Sequence, residues 1–321
     1  MEQAFFSMLS SVAIFVALAV PGYLLVKTKT LKVEQSLPLS KLLMWVGMPF
    51  LILSSTLGLD LKNSTLLTGM GISLGITIGY VAVWFFLSAL LSKKQGEGKK
   101  QGMIRFCMTF SNNGFLGLPL AEAVFNGTDS HAYSYLVISN VLTNLLMYTL
   151  GVYLISGDKS KMNFKKVLLN PVLISFVIGV VLNLLNVNAH IPQVLKYSNH
   201  LKGIVTPVSM VILGMKMGGV KVSSLFTTAK TYYISVFKLL LVPIGAVTIA
   251  YFLGEWSGVG AVALAPAMLI AFGTPTAGLA STFADAYDGD SEGAAIYTLG
   301  TTLLSVATMP ILYSLLSLIV G

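Results

Sequence analysis

Two polar interruptions stand where this chain is otherwise apolar: Ser111-Asn112-Asn113-Gly114, running on to Pro119, and Gly273-Thr274-Pro275-Thr276. Lipid offers no partner to backbone groups that leave a helix. Helix-breaking sequence at membrane depth is therefore tolerated where it is buried in protein or lines a cavity. Asn112 and Asn113 suit the N-cap of a half-helix starting near Gly114, and Thr274 with Pro275 reads as an N-cap followed by proline at the first helical position. Each restarted half-helix would aim its first N–H groups and positive dipole end into the break. Two such ends meeting near mid-membrane make a site for an anion, typically a carboxylate. Asn112, Asn113, Gly114, Thr274, Pro275 and Thr276 are thus the candidate substrate-binding residues.

Ionisable residues inside apolar runs cost about 2.5–3.5 kcal/mol near the bilayer centre, so each needs a reason. Lys238 is the deepest, roughly 10 Å past Tyr232-Tyr233 at the helical rise. It is expected to balance the charge of a bound carboxylate; the plainer reading is snorkelling to the inner surface. Lys216 and Arg105 lie nearer the ends of their runs, where snorkelling is expected. Glu122 and Asp285 each follow their break by about ten residues, roughly 15 Å along a helix, which suits gating or coupling near opposite surfaces. Asn140 and Asn144 share a helix face, fit either for coupling or for bonding to a neighbouring helix. Asp288-x-Asp290-x-Glu292 lacks the other ligands of a calcium loop, and His131, His190 and His200 lack metal spacing. Cys107 stands alone, so no disulfide framework exists. With no catalytic constellation, neither an enzyme, a metal nor a cofactor is expected.

The elements that must position these residues are membrane spans. Of 321 residues, 55% are hydrophobic and 10% charged, against about 25% charged in a soluble domain; mean hydropathy is +0.83. The 20 Lys and Arg sit between apolar runs and form no soluble basic face, which excludes nucleic acid as a partner. At about 20 apolar residues per crossing, ten spans are expected near 4–26, 39–58, 66–91, 102–125, 132–156, 166–185, 201–219, 229–253, 260–286 and 293–319. The first apolar run ends in Lys27-x-Lys29 without a clear cleavage site and reads as a retained span. Alternate loops divide the bases 16 to 3, with Lys238 inside a span, which places both termini outside the cell membrane.

Ten spans divide into five and five, and an odd number inverts the second set. Shifting the chain by 162 residues lays Phe110 on Phe272, Tyr135 on Tyr297, and Asn112-Asn113 on Thr274-Pro275. The expected fold is an all-α polytopic membrane protein, an inverted repeat of residues 1–160 and 161–321 with spans four and nine broken. Pro49 and Pro207 form a second matched pair of kinks. Gly69, Gly71, Gly75 and Gly79 give small-residue spacing for close helix packing.

At these residues the chain resembles the auxin efflux carrier family, in its bacterial malate permease-like branch. Phe110-Ser-Asn-Asn-Gly-Phe-Leu-Gly-Leu-Pro119 resembles the fourth-span motif, Asn170-Pro171 with Gly179 the sixth, and Thr274-Pro275-Thr276-Ala277 through Asp290 the ninth. Asn113 stands where Thr is common in the family. The resemblance implies that spans four and nine cross at their breaks, with Asn112 and Pro275 marking the crossover and Lys238 matching a basic residue of span eight. It implies a scaffold of about 1–60 and 165–220, a mobile transport domain of about 66–157 and 228–319, and a homodimer moving substrate by an elevator or rocking motion. The long loop of the plant exporters is absent, since the gap after Ser156 is about ten residues. The expected function is secondary transport of malate-like organic anions, with a coupling proton or sodium ion. A sodium-coupled symporter is the rival within transport, although no acidic residue adjoins either break. A channel and a membrane sensor are further rivals.

Overall fold

A chain without water to bond its backbone must close its hydrogen bonds within each segment, and these apolar runs do so as helices. The computed structural model describes residues 2–125, 130–162, 164–221, 223 and 227–320, and among them no strand occurs beyond one isolated bridge. In chain order the helices are α1 (Glu2–Lys27), α2 (Val33–Leu57), α3 (Ser64–Leu91), α4 (Gly98–Thr109), α5 (Leu118–Val124), α6 (His131–Ser156), α7 (Pro171–Leu184), α8 (Gln193–Gly219), α9 (Ala229–Ser257), α10 (Ala261–Gly273), α11 (Ala280–Ala286) and α12 (Ser291–Val320), with short helical turns between some of them. Seven of these (α1, α2, α3, α6, α8, α9 and α12) are long and apolar enough to cross a membrane, while α7 and α10 are shorter apolar helices.

Proline shapes several elements. Wide π turns at Leu43–Gly47, Asn113–Gly117 and Phe237–Leu241 each run into an α segment whose second residue is proline: Pro49, Pro119 and Pro243. A proline lacks the N–H that the carbonyl four residues back would accept, and its ring crowds that carbonyl, so the preceding turn widens. Pro207 instead follows a turn at residues 203–204 within α8. Asp290 accepts the Gly293 N–H at 3.0 Å at the start of α12, and Asp288 pairs with Lys99 at 2.5 Å. The acidic run is a helix start and an exposed ion pair.

α1 lies against α8 so closely that a Cβ on Gly214 would fall 1.9 Å from the Ala19 carbonyl oxygen, and one on Gly22 2.0 Å from that of Val211. α2 packs on α7, where Gly179 meets Thr56, and the Asn183 amide donates to the Thr56 and Leu57 carbonyls that end α2 and to that of Leu59 just beyond. The N-terminal part of α8 also lies on α2. A second set of contacts joins α3 to α6, α6 to α10, α9 to both α10 and α12, and α11 to α12. Between the sets, α1 touches α12 and α5, and α8 touches the Asn113–Gly117 turn. From Leu264 onward α10 is buried on every side, as an all-round apolar helix should be. Of the glycine series on α3, Gly69 alone serves close packing, against Tyr135. Gly71, Gly75 and Gly79 face open space, because the stripe they form points away from α6.

Candidate functional site

The two interruptions meet. α4 ends at Thr109 with Phe110 extended, α10 ends at Gly273 with Thr274 extended, and Ser111 and Thr276 form an antiparallel bridge. The Asn112 N–H donates to the Pro275 carbonyl at 2.7 Å, and the Ala277 N–H to the Phe110 carbonyl at 3.1 Å. Thr276 completes the joint: its N–H donates to Thr301 Oγ1 and its hydroxyl to the Cys107 carbonyl, each at 3.2 Å. Backbone groups freed by one break are thus satisfied by the other, which removes most of the cost of unwinding apolar chain in a dry interior.

This bridge overturns the capping expectation. The chain restarts as helix at Ala280, not at Pro275, because the Pro275 carbonyl and the Thr276 and Ala277 N–H groups are committed elsewhere. The Thr274 hydroxyl is buried without a partner. At the other break, Asn112 serves through its carbonyl, which accepts from Leu116 and Gly117 at 3.3 and 3.0 Å, and its side chain makes no capping bond. Asn113 lies one residue inside the π turn, with its amide directed at α6.

Lys238 does not snorkel. It is 0% exposed, in the π turn of α9, and its ammonium donates to Ser111 Oγ and to the Phe272 carbonyl, the latter at 3.3 Å. Ser111 Oγ also donates to that carbonyl at 3.2 Å. The charge therefore sits behind the bridge, tied to both interrupted segments, and Ser111 stands between it and the cavity. Tyr80 reinforces this corner by donating to the Val242 carbonyl at 2.5 Å and packing edge-on to Phe272.

In front of the bridge is a cavity of about 30 Å³, room for one or two waters. Asn112, Asn113, Gly114, Asn140 and Asn144 line it, together with Ser111, Tyr148, Asn170 and residues Ala277 to Leu279. The Asn140 amide donates to Asn113 Oδ1 at 2.9 Å, the Asn113 amide to Thr143 Oγ1 at 3.2 Å, and the Asn144 amide to the Asn140 carbonyl at 2.9 Å. Asn140 Oδ1 has no partner. Gly114 fits because a Cβ there would come within 2.9 Å of both Asn140 Nδ2 and Met48 Cε. Met44 and Met48 of α2 and Val172 of α7 close the far wall. The Gly278 and Leu279 N–H groups donate to no described residue.

Of the expected site residues, the structure brings Asn112, Asn113, Gly114, Asn140 and Asn144 to one cavity. Thr274, Pro275, Thr276 and Lys238 lie behind it, in the joint. Tyr148, Gly278 and Leu279 join them without a signal in the sequence, whereas Ser111 and Ala277 belong to the two interruptions and their motifs, and Asn170 to the Asn170-Pro171 motif. Glu122 pairs with Lys202 at 2.8 Å beside a vestibule of about 560 Å³. Asp285 accepts from Ser291 at 2.5 Å and lines another of about 340 Å³. Thr206 of the first and Lys216 of the second are about 15 Å apart along α8.

Two comparisons bear on this arrangement. The family described as membrane transport protein matches residues 6–166 and 160–313. An uncharacterized transporter of Methanothermobacter thermautotrophicus is 25% identical over 297 residues, spanning 90% of this chain and 92% of its own.

Proposed function

Since the chain belongs to the auxin efflux carrier family of membrane transport proteins, and is a multi-pass transporter and not an enzyme, we propose that it is a secondary transporter of small organic anions, malate-like carboxylates first. The observation that carries this reading is the amide-lined cavity at the joined breaks. Donors are available there in the Asn112 amide and the Gly278 and Leu279 N–H groups, with the Lys238 ammonium one hydroxyl behind, beside one unpaired acceptor, Asn140 Oδ1. A carboxylate accepts up to about four hydrogen bonds and donates none.

At about 30 Å³ the cavity is far smaller than malate, so binding requires its walls to part. Met44, Met48, Asn170 and Val172 of one wall belong to α2 and α7 or the residue before α7, and the remaining lining comes from the crossover, α6 and the residues preceding α11. In our reading α1, α2, α7 and α8 are the scaffold, and α3–α6 with α9–α12 move against it. The vestibules at Glu122 and Asp285 then open alternately. Counting α4 with α5, α7, and α10 with α11 as the three remaining crossings gives ten spans in two inverted sets of five. The base-rich loops face the cytoplasm, and both termini face outside.

Uptake into proteoliposomes across a panel of mono- and dicarboxylates, with and without sodium or a pH gradient, tests the proposal. Saturable, carboxylate-specific uptake is expected. Transport confined to cations or neutral solutes would refute it, and uptake that requires sodium would favour the symporter.

A further inference from the structure

Lys216 is a charged side chain that the joined interruptions do not use. Snorkelling would carry its ammonium out past the end of α8. Instead the part-buried side chain turns inward to the Gly278 carbonyl at 3.5 Å. It lines two successive cavities. One, of about 40 Å³, is bounded by Ser40, Asn112, Phe115, Gly278 and Thr298; the other is the 340 Å³ vestibule with Ser281 and Asp285. Asn112 in turn lines the cavity at the crossover. Lys216 therefore stands at the neck of a path from the vestibule to the joined breaks.

Unused hydrogen-bond donors collect at this neck. Thr298 Oγ1 in the inner cavity and Ser281 Oγ in the vestibule are buried hydroxyls without partners. An ammonium has three N–H donors, and one long contact to a carbonyl uses one of them. In the inner cavity Lys216 is the one ionisable residue among the described lining residues, whereas Glu34 and Asp285 line the vestibule. Hydroxyls with an unused proton beside an ammonium with donors to spare leave a place for an oxyanion, which can accept from both. We propose that Lys216, with Thr298 and Ser281, forms an inner anion subsite through which a carboxylate passes between the vestibule and the crossover. The flexible stem lets the ammonium follow its guest across the neck, and Asp285 competes with that guest for the ammonium. The inference rests on the anion reading of the crossover, and the following experiment separates the two.

Lys216→Cys in a Cys107→Ala background, reconstituted in proteoliposomes, is treated with cationic aminoethyl or anionic sulfonatoethyl methanethiosulfonate. The thiol should react with both water-borne reagents from one membrane face. Malate uptake should fall at least tenfold in the variant, recover on aminoethylation, which restores an ammonium, and stay low on sulfonatoethylation. Recovery also establishes that the variant is folded. Lys216→Gln, matched for thermal stability, should show the same loss, and Asp285→Asn should bind malate more tightly than the parent. A thiol inert to both reagents, or full uptake by Lys216→Cys and Lys216→Gln, overturns the subsite. If the parent protein moves no carboxylate, the function proposed above fails instead, and reactivity of the thiol alone decides whether the neck is a solute path.

Discussion

Lys238→Met removes the charge behind the crossover while keeping most of the side-chain length, and the structure sets what it should cost. In the parent, Ser111 Oγ stands between the ammonium and the cavity, so a carboxylate packed against that oxygen sits roughly 6 Å from the charge. At an effective dielectric near 20, opposite unit charges at that separation attract by about 2.8 kcal/mol, which is about a hundredfold in affinity. Stability should respond differently. Ser111 keeps its bond to the Phe272 carbonyl, so no acceptor is orphaned, and a fully buried charge is no longer desolvated. Melting temperature should therefore hold or rise. Substrate affinity and thermal melting are to be measured on the same purified protein, with Lys238→Arg as the charge-retaining control. The guanidinium fork does not fit a site shaped around a compact ammonium with no exposure, so that variant should melt lower. Unchanged affinity in Lys238→Met would refute the electrostatic argument. A loss of affinity matched by a loss of stability would make Lys238 a structural tie alone.

Other expectations follow from single contacts. Asn113→Ala leaves the Asn140 amide without its acceptor beside an Oδ1 that already lacks a partner; about 0.6–1.7 kcal/mol of stability should be lost, on the scale of hydrogen bonds between membrane helices, read by thermal melting along with weaker carboxylate binding. Gly214→Val should lower stability by about 1–3 kcal/mol, since its Cβ would meet backbone of α1, which cannot swing aside as a side chain can; an unchanged melting temperature would mean that α1 and α8 are less closely applied. Cysteines at Glu97 and Ala189, both exposed, should label from opposite membrane faces in a Cys107→Ala background, and labelling from the same face would exclude the proposed topology.

The sequence alone sufficed for the membrane class and the all-helical build. Runs of apolar residues with few charges leave no soluble alternative, and hydrogen-bond economy in lipid makes them helices. It also located the breaks, because Asn-Asn-Gly and Gly-Thr-Pro weaken a helix wherever they occur. It could not say what satisfies the freed backbone. Local rules offered Thr274 and Pro275 a capping role, but the Asn112 N–H and Pro275 carbonyl, 163 positions apart in the chain, took each other as partners. Capping chemistry is read from a few adjacent residues, whereas this bridge exists only once the segments that follow α4 and α10 are brought together. The same limit governs the charges. Both Lys238 and Lys216 look able to snorkel from position alone, since a long stem reaches water in the absence of neighbours. Tertiary structure turned both inward, because Ser111, Phe272 and Gly278 place oxygen atoms where a lysine's ammonium can reach them. Depth along a helix is written in the sequence; the direction in which a charge finds its partners is decided only by the fold.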